Sequence, residues 1–141
     1  MILILKGVYM SYNESAEMYL ETVYILEKSH GHAHGTDVAK KLGVSKASVS
    51  KAMKLLKEKG LIHKETYGTI TLTPKGLELS KQIYYNHRMI SLYLKESLKL
   101  SDQEAADNAC RMEHIISENM LECIRKYLEE KHIEVSELEE E

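Results

Sequence analysis

Phe and Trp are absent from this sequence, Pro occurs once and Cys twice. Without Phe or Trp the core has to be aliphatic, built from Leu, Ile, Val and Met, and nine Tyr supply all the aromatic surface. With one Pro and few aromatics, the composition favours helices over a β-sandwich. Long hydrophobic runs are missing too. The longest, Met1 to Leu5, is far short of the ~20 residues of a membrane span, and no basic segment precedes it as in a secretory signal. A cytoplasmic location and no membrane partner are expected. Cys110 and Cys123 stand thirteen positions apart on what reads as one helix, about 20 Å at 1.5 Å per residue, too far to bridge each other. A reducing cytosol would keep both as thiols. What is present, 43% apolar and 29% charged among 141 residues, allows a packed core and argues against global disorder.

Charge is unevenly spread. Between Thr36 and Lys64 eight Lys face only Asp37 and Glu58, a balance of +6, whereas thirteen acidic residues between Ser101 and Glu141 meet four basic ones, a balance of -9. A Lys-rich stretch is commonly a solvated helix face. Its place in the fold decides between that and a polyanion-binding surface.

Along the chain, residues 1–13 have no clean period and read as an N-terminal extension, frayed over its first ten residues. Met18, Tyr19, Val23 and Leu26 mark an amphipathic helix from Glu14 to about Lys28. Ser29–Gly35 reads as a turn, and Thr36 as the cap of a short helix, Asp37–Leu42. Gly43 then breaks the chain. A third helix follows with Ser45 as N-cap and Gly60 as its stop, its apolar stripe formed by Val49, Met53 and Leu56. A short helix, a Gly turn and a longer helix with a polar outer face make a helix-turn-helix. Two β-leaning runs, Leu61–Thr66 and Thr69–Thr73, joined through Tyr67-Gly68, add a hairpin, so residues 14–74 read as a winged helix-turn-helix. Pro74 opens a long helix to about Lys99, with Leu77, Ile83, Tyr84, His87, Ile90 and Leu94 inward or interfacial. Ser101-Asp-Gln-Glu is a capping box. One or two further helices complete an all-helical dimerisation domain over residues 75–132, before an acidic tail, 133–141. The fold expected is mainly α.

Chemistry concentrates in Asp107–Asn119. Cys110, Glu113 and His114 stand at i, i+3 and i+4, so one helical face would present a sulfur, a carboxylate and an imidazole. A helix cannot surround an ion by itself, so a metal site needs donors from neighbouring helices. Met18 and Glu21 on the first helix and His87 on the fourth could supply them. The plainer reading is a buried Cys beside a surface Glu–His pair, with Met18 filling core and His87 a satisfied buried histidine. His30, His32 and His34 read as a solvated turn, and Cys123 as core. No H-E-x-x-H, P-loop, G-x-G-x-x-G or nucleophile elbow is present, and nothing supports an enzyme.

SAEMYLETVYIL, DVAKKLGVSKASVSKAMKLLKEKGLI, ITLTPKG, NHR and DNACRMEHIISE, in this order, resemble the metal-dependent transcriptional repressors typified by the diphtheria toxin repressor and the manganese transport regulator. The likeness covers residues 14–130. It implies a homodimer that binds double-stranded operator DNA through the winged helix, with Fe(II) or Mn(II) as corepressor. Carried over, Met18, Cys110, Glu113 and His114 match the principal site of the iron branch, Cys110 through its carbonyl or its sulfur. That branch's second site keeps only His87, since Ser91 and Ala106 replace its Glu and His. Glu21 and His87 match the manganese branch, which has Asp and Glu where Met18 and Cys110 stand. The donor set is a hybrid, and its sulfur favours Fe(II), with Mn(II) as the alternative.

The function expected is therefore a metal-dependent repressor controlling iron or manganese homeostasis. The alternative is a winged-helix regulator answering a redox signal or a small molecule. Ser45, Lys46, Ala47, Ser48, Ser50 and Lys51 are placed to meet base edges, and Lys54, Lys64 and Tyr67 to meet phosphates. Leu92, Leu94, Ile115 and Leu121 are candidates for an intersubunit core.

Overall fold

The structure is a computed structural model, which describes residues 2–65 and 68–135, with side chains from Ser15 onward. These residues fall into two compact units, one formed by Tyr12–Lys81 and the other by Gln82 onward with the opening turns of the first helix. Tyr67 and the last part of the acidic tail lie outside the described residues.

α1 spans Ile2–His30 and belongs to the first unit from Tyr12 onward. The helix expected to start at Glu14 begins at Ile2, because the preceding segment has no Pro and only Gly7 as a poor helix former to oppose propagation. Its buried face is Ala16, Leu20, Val23, Tyr24 and Leu26; Met18, expected on the apolar stripe, is 38% exposed. Gly31, at φ +80°, ends the helix, its N–H donating to the Glu27 carbonyl at 2.6 Å.

The Ser29–Gly35 turn proves to contain a strand. β1, Ala33–His34, pairs antiparallel with β3, Thr69–Leu72, through Ala33 opposite Ile70 and His34 opposite Thr69. This pairing holds the chain extended to His34, so α2, Gly35–Leu42, starts one residue before Thr36, and His34 takes the N-cap position that Thr36 was expected to fill. α3, Lys46–Glu58, follows Ser45, whose hydroxyl accepts from the Ser48 N–H at 3.1 Å, and Val49, Met53 and Leu56 are its buried stripe. β2, Ile62–Lys64, and β3, Thr69–Leu72, form the hairpin, giving a sheet ordered β1-β3-β2. A winged helix-turn-helix is thus present.

α4, Pro74–Leu98, starts inside this unit. The Thr73 hydroxyl donates to the Gly60 carbonyl at 2.7 Å and accepts from the Gly76 N–H at 3.0 Å. Fully buried Ser80 donates to the Gly76 carbonyl at 2.7 Å. Gly76 lies so near the Leu61 carbonyl that a Cβ there would fall 1.9 Å from the oxygen.

The second unit holds the rest of α4, then α5, Asp102–Met112, and α6, Glu118–Glu130. Ser101 and Ser117 cap α5 and α6, accepting from the Glu104 and Met120 N–H groups. Met89, Ile90 and Leu94 of α4, Ala105 and Ala109 of α5, and Ile124 and Leu128 of α6 form its core. Leu94, expected at an intersubunit surface, is thereby used within its own unit. Tyr93 and Tyr127 meet edge to face, centroids 5.2 Å apart. Cys110 and Cys123 do not share a helix, because the chain breaks between α5 and α6; both are exposed and neither is in a disulfide. Cys123 was expected in the core, but the buried stripe of α6 is Ile124 and Leu128, which leaves it outside. Ile133 and Val135, counted with the tail, pack against this core. No helix of the described residues is long and apolar enough to cross a membrane.

Candidate metal centre and nucleic-acid interface

Glu113 is the C-cap of α5, and His114 lies just beyond it. The end of the helix therefore reverses the plainer sequence reading. Glu113 and His114 are the buried pair, 7% and 4% exposed, whereas Cys110, one turn back on α5, faces solvent. The Glu113 carboxylate has no exposed surface and lies between two imidazoles, its Oε2 2.9 Å from His87 Nδ1 and its Oε1 3.0 Å from His114 Nε2. His87 reaches this point from the middle of α4 and remains partly open, its side chain 20% exposed. Tyr84, one turn earlier, leans on its ring with centroids 5.9 Å apart.

Of the six candidate ligands, three are gathered in this unit: His87, Glu113 and His114. Cys110 is not among these contacts. Glu21 and Met18 belong to α1, where Glu21 is buried and Met18 is 38% exposed. The three gathered donors are two nitrogens and a carboxylate, a set that fits a first-row divalent cation. A fully buried carboxylate is unfavourable without positive charge or hydrogen bonds to balance it.

The His30, His32 and His34 run does not assemble a comparable set. His32 and His34 stack edge to face, 4.8 Å between centroids, an arrangement that aims one ring at the face of the other. His30 and His32 line a surface cleft together with Asp37, Lys40 and Lys41, where two ammonium groups outnumber the single carboxylate.

In the winged unit, Ser45, Lys46, Ala47, Ser48, Ser50, Lys51 and Lys54 are all exposed, while Val49 and Met53 between them are buried. The helix so presents its N-terminal, basic side outward. Ser45 is occupied as the cap, and its hydroxyl also donates to the Ser48 hydroxyl at 2.9 Å. Lys64 is exposed on β2 next to His63, a wing residue that sequence reading passed over.

Residues 11–70 match the family described as iron dependent repressor, N-terminal DNA binding domain, and residues 73–136 match iron dependent repressor, metal binding and dimerisation domain. The HTH-type transcriptional regulator MntR of Bacillus pumilus is 33% identical over 111 residues, 78% of this chain and 76% of that protein. The chain belongs to the iron-dependent repressor family. An HTH-type transcriptional regulator of Methanocaldococcus jannaschii is 35% identical over 118 residues, 83% of this chain and 94% of the relative. The solved structure of the manganese regulator SloR superposes with a TM-score of 0.71 at 30% identity, covering 81% of this chain and 53% of that one. The chain thus spans about half the length of that structure. Members are transcriptional regulators, and the two matched domains make this chain a metal-dependent, DNA-binding repressor.

Proposed function

We propose that the corepressor ion is held by His87, Glu113 and His114, joined from α1 by Glu21 and Met18 and from α5 by Cys110 through its sulfur or its carbonyl. The observation that carries this reading is the fully buried Glu113 carboxylate set between His87 and His114. A bound divalent cation supplies the charge that balances the carboxylates and a cross-link among its ligands. Fe(II) is the proposed ion and Mn(II) the competitor: imidazole and sulfur suit Fe(II), whereas Mn(II) prefers oxygen.

Glu21 and Met18 commit α1, and with it the winged unit, to one arrangement. In a homodimer built through residues 75–132 that arrangement sets the spacing of two recognition helices against two major-groove half-sites. Lys46, Ala47, Ser48, Ser50 and Lys51 then face base edges of double-stranded operator DNA, and Lys54 and Lys64 its phosphates, with Ser45 holding the helix start. Ile115, 55% exposed, and Met120, 41% exposed, are apolar residues left for the dimer contact. Sedimentation should give a dimer at micromolar concentration.

The test is operator affinity across free Fe(II), Co(II) and Mn(II) under anaerobic conditions. His114→Ala should abolish activation by every metal while the fold, followed by circular dichroism, persists. Activation that survives in this variant would overturn the site.

A further inference from the structure

β1 is only two residues long and stops after covering Thr69 and Ile70 of β3. Continuing the register would bring Gly31 opposite Leu72, but Gly31 is already the left-handed end of α1. The missing strand acceptor is replaced by a side chain: the Leu72 N–H donates to Glu27 Oε2 at 2.9 Å, in a part-buried bond. Glu27 sits on the last turn of α1 and its own carbonyl takes the Gly31 N–H that ends the helix. The residue whose carbonyl takes this N–H thus also grips, by its side chain, the central strand of the wing sheet. Met18 and Glu21 stand nine and six residues earlier on the same helix, about 13 Å and 9 Å along a rigid rod.

We propose that Glu27 is a positioning residue that makes the wing follow α1, so that the state of the metal ligands on α1 reaches the DNA-contacting hairpin. The inference rests on the reading that Met18 and Glu21 join the ion. A carboxylate accepting from a backbone N–H is a stronger and more directional tie than a neutral bond, and β3 has no further residue of β1 to hold it there. Without Glu27 the wing would keep its pairing with β1 and β2 but would lose the direct side-chain tie between Leu72 and α1.

The experiment uses the full chain and a duplex selected from a random pool by the Mn(II)-loaded wild type. Operator affinity is measured with Mn(II) and with chelator, Mn(II) affinity is measured without DNA, and melting is followed in parallel. Glu27→Ala should weaken operator binding of the Mn(II)-loaded protein about ten-fold or more, lower its salt slope by about one as the wing phosphate contact is lost, and leave Mn(II) affinity without DNA within two-fold. By reciprocity, the gain in Mn(II) affinity caused by DNA should shrink by the same factor as the ratio of Mn(II)-loaded to Mn(II)-free operator affinity. Glu27→Gln, which keeps an acceptor oxygen, should restore most of the affinity. An unchanged ratio of Mn(II)-loaded to Mn(II)-free operator affinity in Glu27→Ala, with only the melting temperature lowered, overturns the proposal, as does a loss of Mn(II) affinity without DNA. Activation that survives removal of both Met18 and Glu21 overturns it through the reading on which it rests, whatever Glu27→Ala does.

Discussion

Replacing a helical glycine by alanine ordinarily stabilises a protein, by ~1 kcal/mol at an unhindered interior position. Gly76, in the first turn of α4, should behave the opposite way. A methyl carbon there meets the Leu61 carbonyl oxygen at 1.9 Å and its carbon at 2.9 Å, both backbone atoms that no rotamer change can move. Opening the contact to ~3.5 Å requires a shift of roughly 1.5 Å. That shift acts on the bonds Thr73 makes to Gly60 and Gly76, at 2.7 and 3.0 Å, and on the buried Ser80 bond to Gly76. Overpacking costs about 1–3 kcal/mol, and weakening the two bonds in which Gly76 itself takes part adds about 1 kcal/mol each. After the helix-propensity gain, Gly76→Ala should destabilise by about 3 kcal/mol, a fall in melting temperature on the order of 6–12 °C. Thermal unfolding followed by circular dichroism, with Lys75→Ala as a neighbouring control expected within about 0.5 kcal/mol of wild type, reads the difference. A Gly76→Ala protein that melts at or above the wild-type temperature would refute the packing argument.

Lys64→Ala should lower the salt slope of operator binding by about one unit and weaken all duplexes alike, whereas Lys51→Ala should also relax sequence preference; the readout is binding to the selected operator and single-base variants at several salt concentrations. Met18→Asp should shift activation towards Mn(II), since it replaces a thioether by an anionic oxygen; identical Fe(II) and Mn(II) titrations in the two proteins would show that Met18 is no ligand. Arg125 bonds both Glu122 and Glu129 on α6 and holds the Glu122 carboxyl below its usual range. A depressed carboxylate stabilises the fold above its ordinary pKa and loses that contribution as pH falls, so the small melting-temperature gap between wild type and Arg125→Gln should narrow from pH 7 to pH 3. A gap that widens on acidification would contradict this.

The parts of the fold that depend on near neighbours could be read from the residues alone. Ser45, the Val49–Met53–Leu56 stripe and Gly60 mark α3 within sixteen residues, and Ser101 marks the start of α5 by its own side chain. β1 could not be read this way. Ala33 and His34 are extended because Ile70 and Thr69, far along the chain, pair with them, and that pairing also moved the cap of α2 from Thr36 to His34. The break after Glu113 was hidden because neither Gly nor Pro signals it; Ser117, the cap of α6, was the available cue. That break explains why the Cys110, Glu113 and His114 spacing named two of the gathered donors and misjudged the burial of the sulfur. Glu27 left no local mark, since its role comes from a backbone N–H forty-five residues away.

The placement of the first turns of α4 bears on how this protein can be cut. A fragment ending at Pro74, where the sequence changes from wing to helix, would keep the hairpin but remove Gly76 and Ser80, the glycine that admits the Leu61 carbonyl and the hydroxyl buried beneath it. A DNA-binding fragment for crystallisation or for a chimera should therefore end no earlier than Lys81, with two turns of α4 retained as part of the wing's own packing.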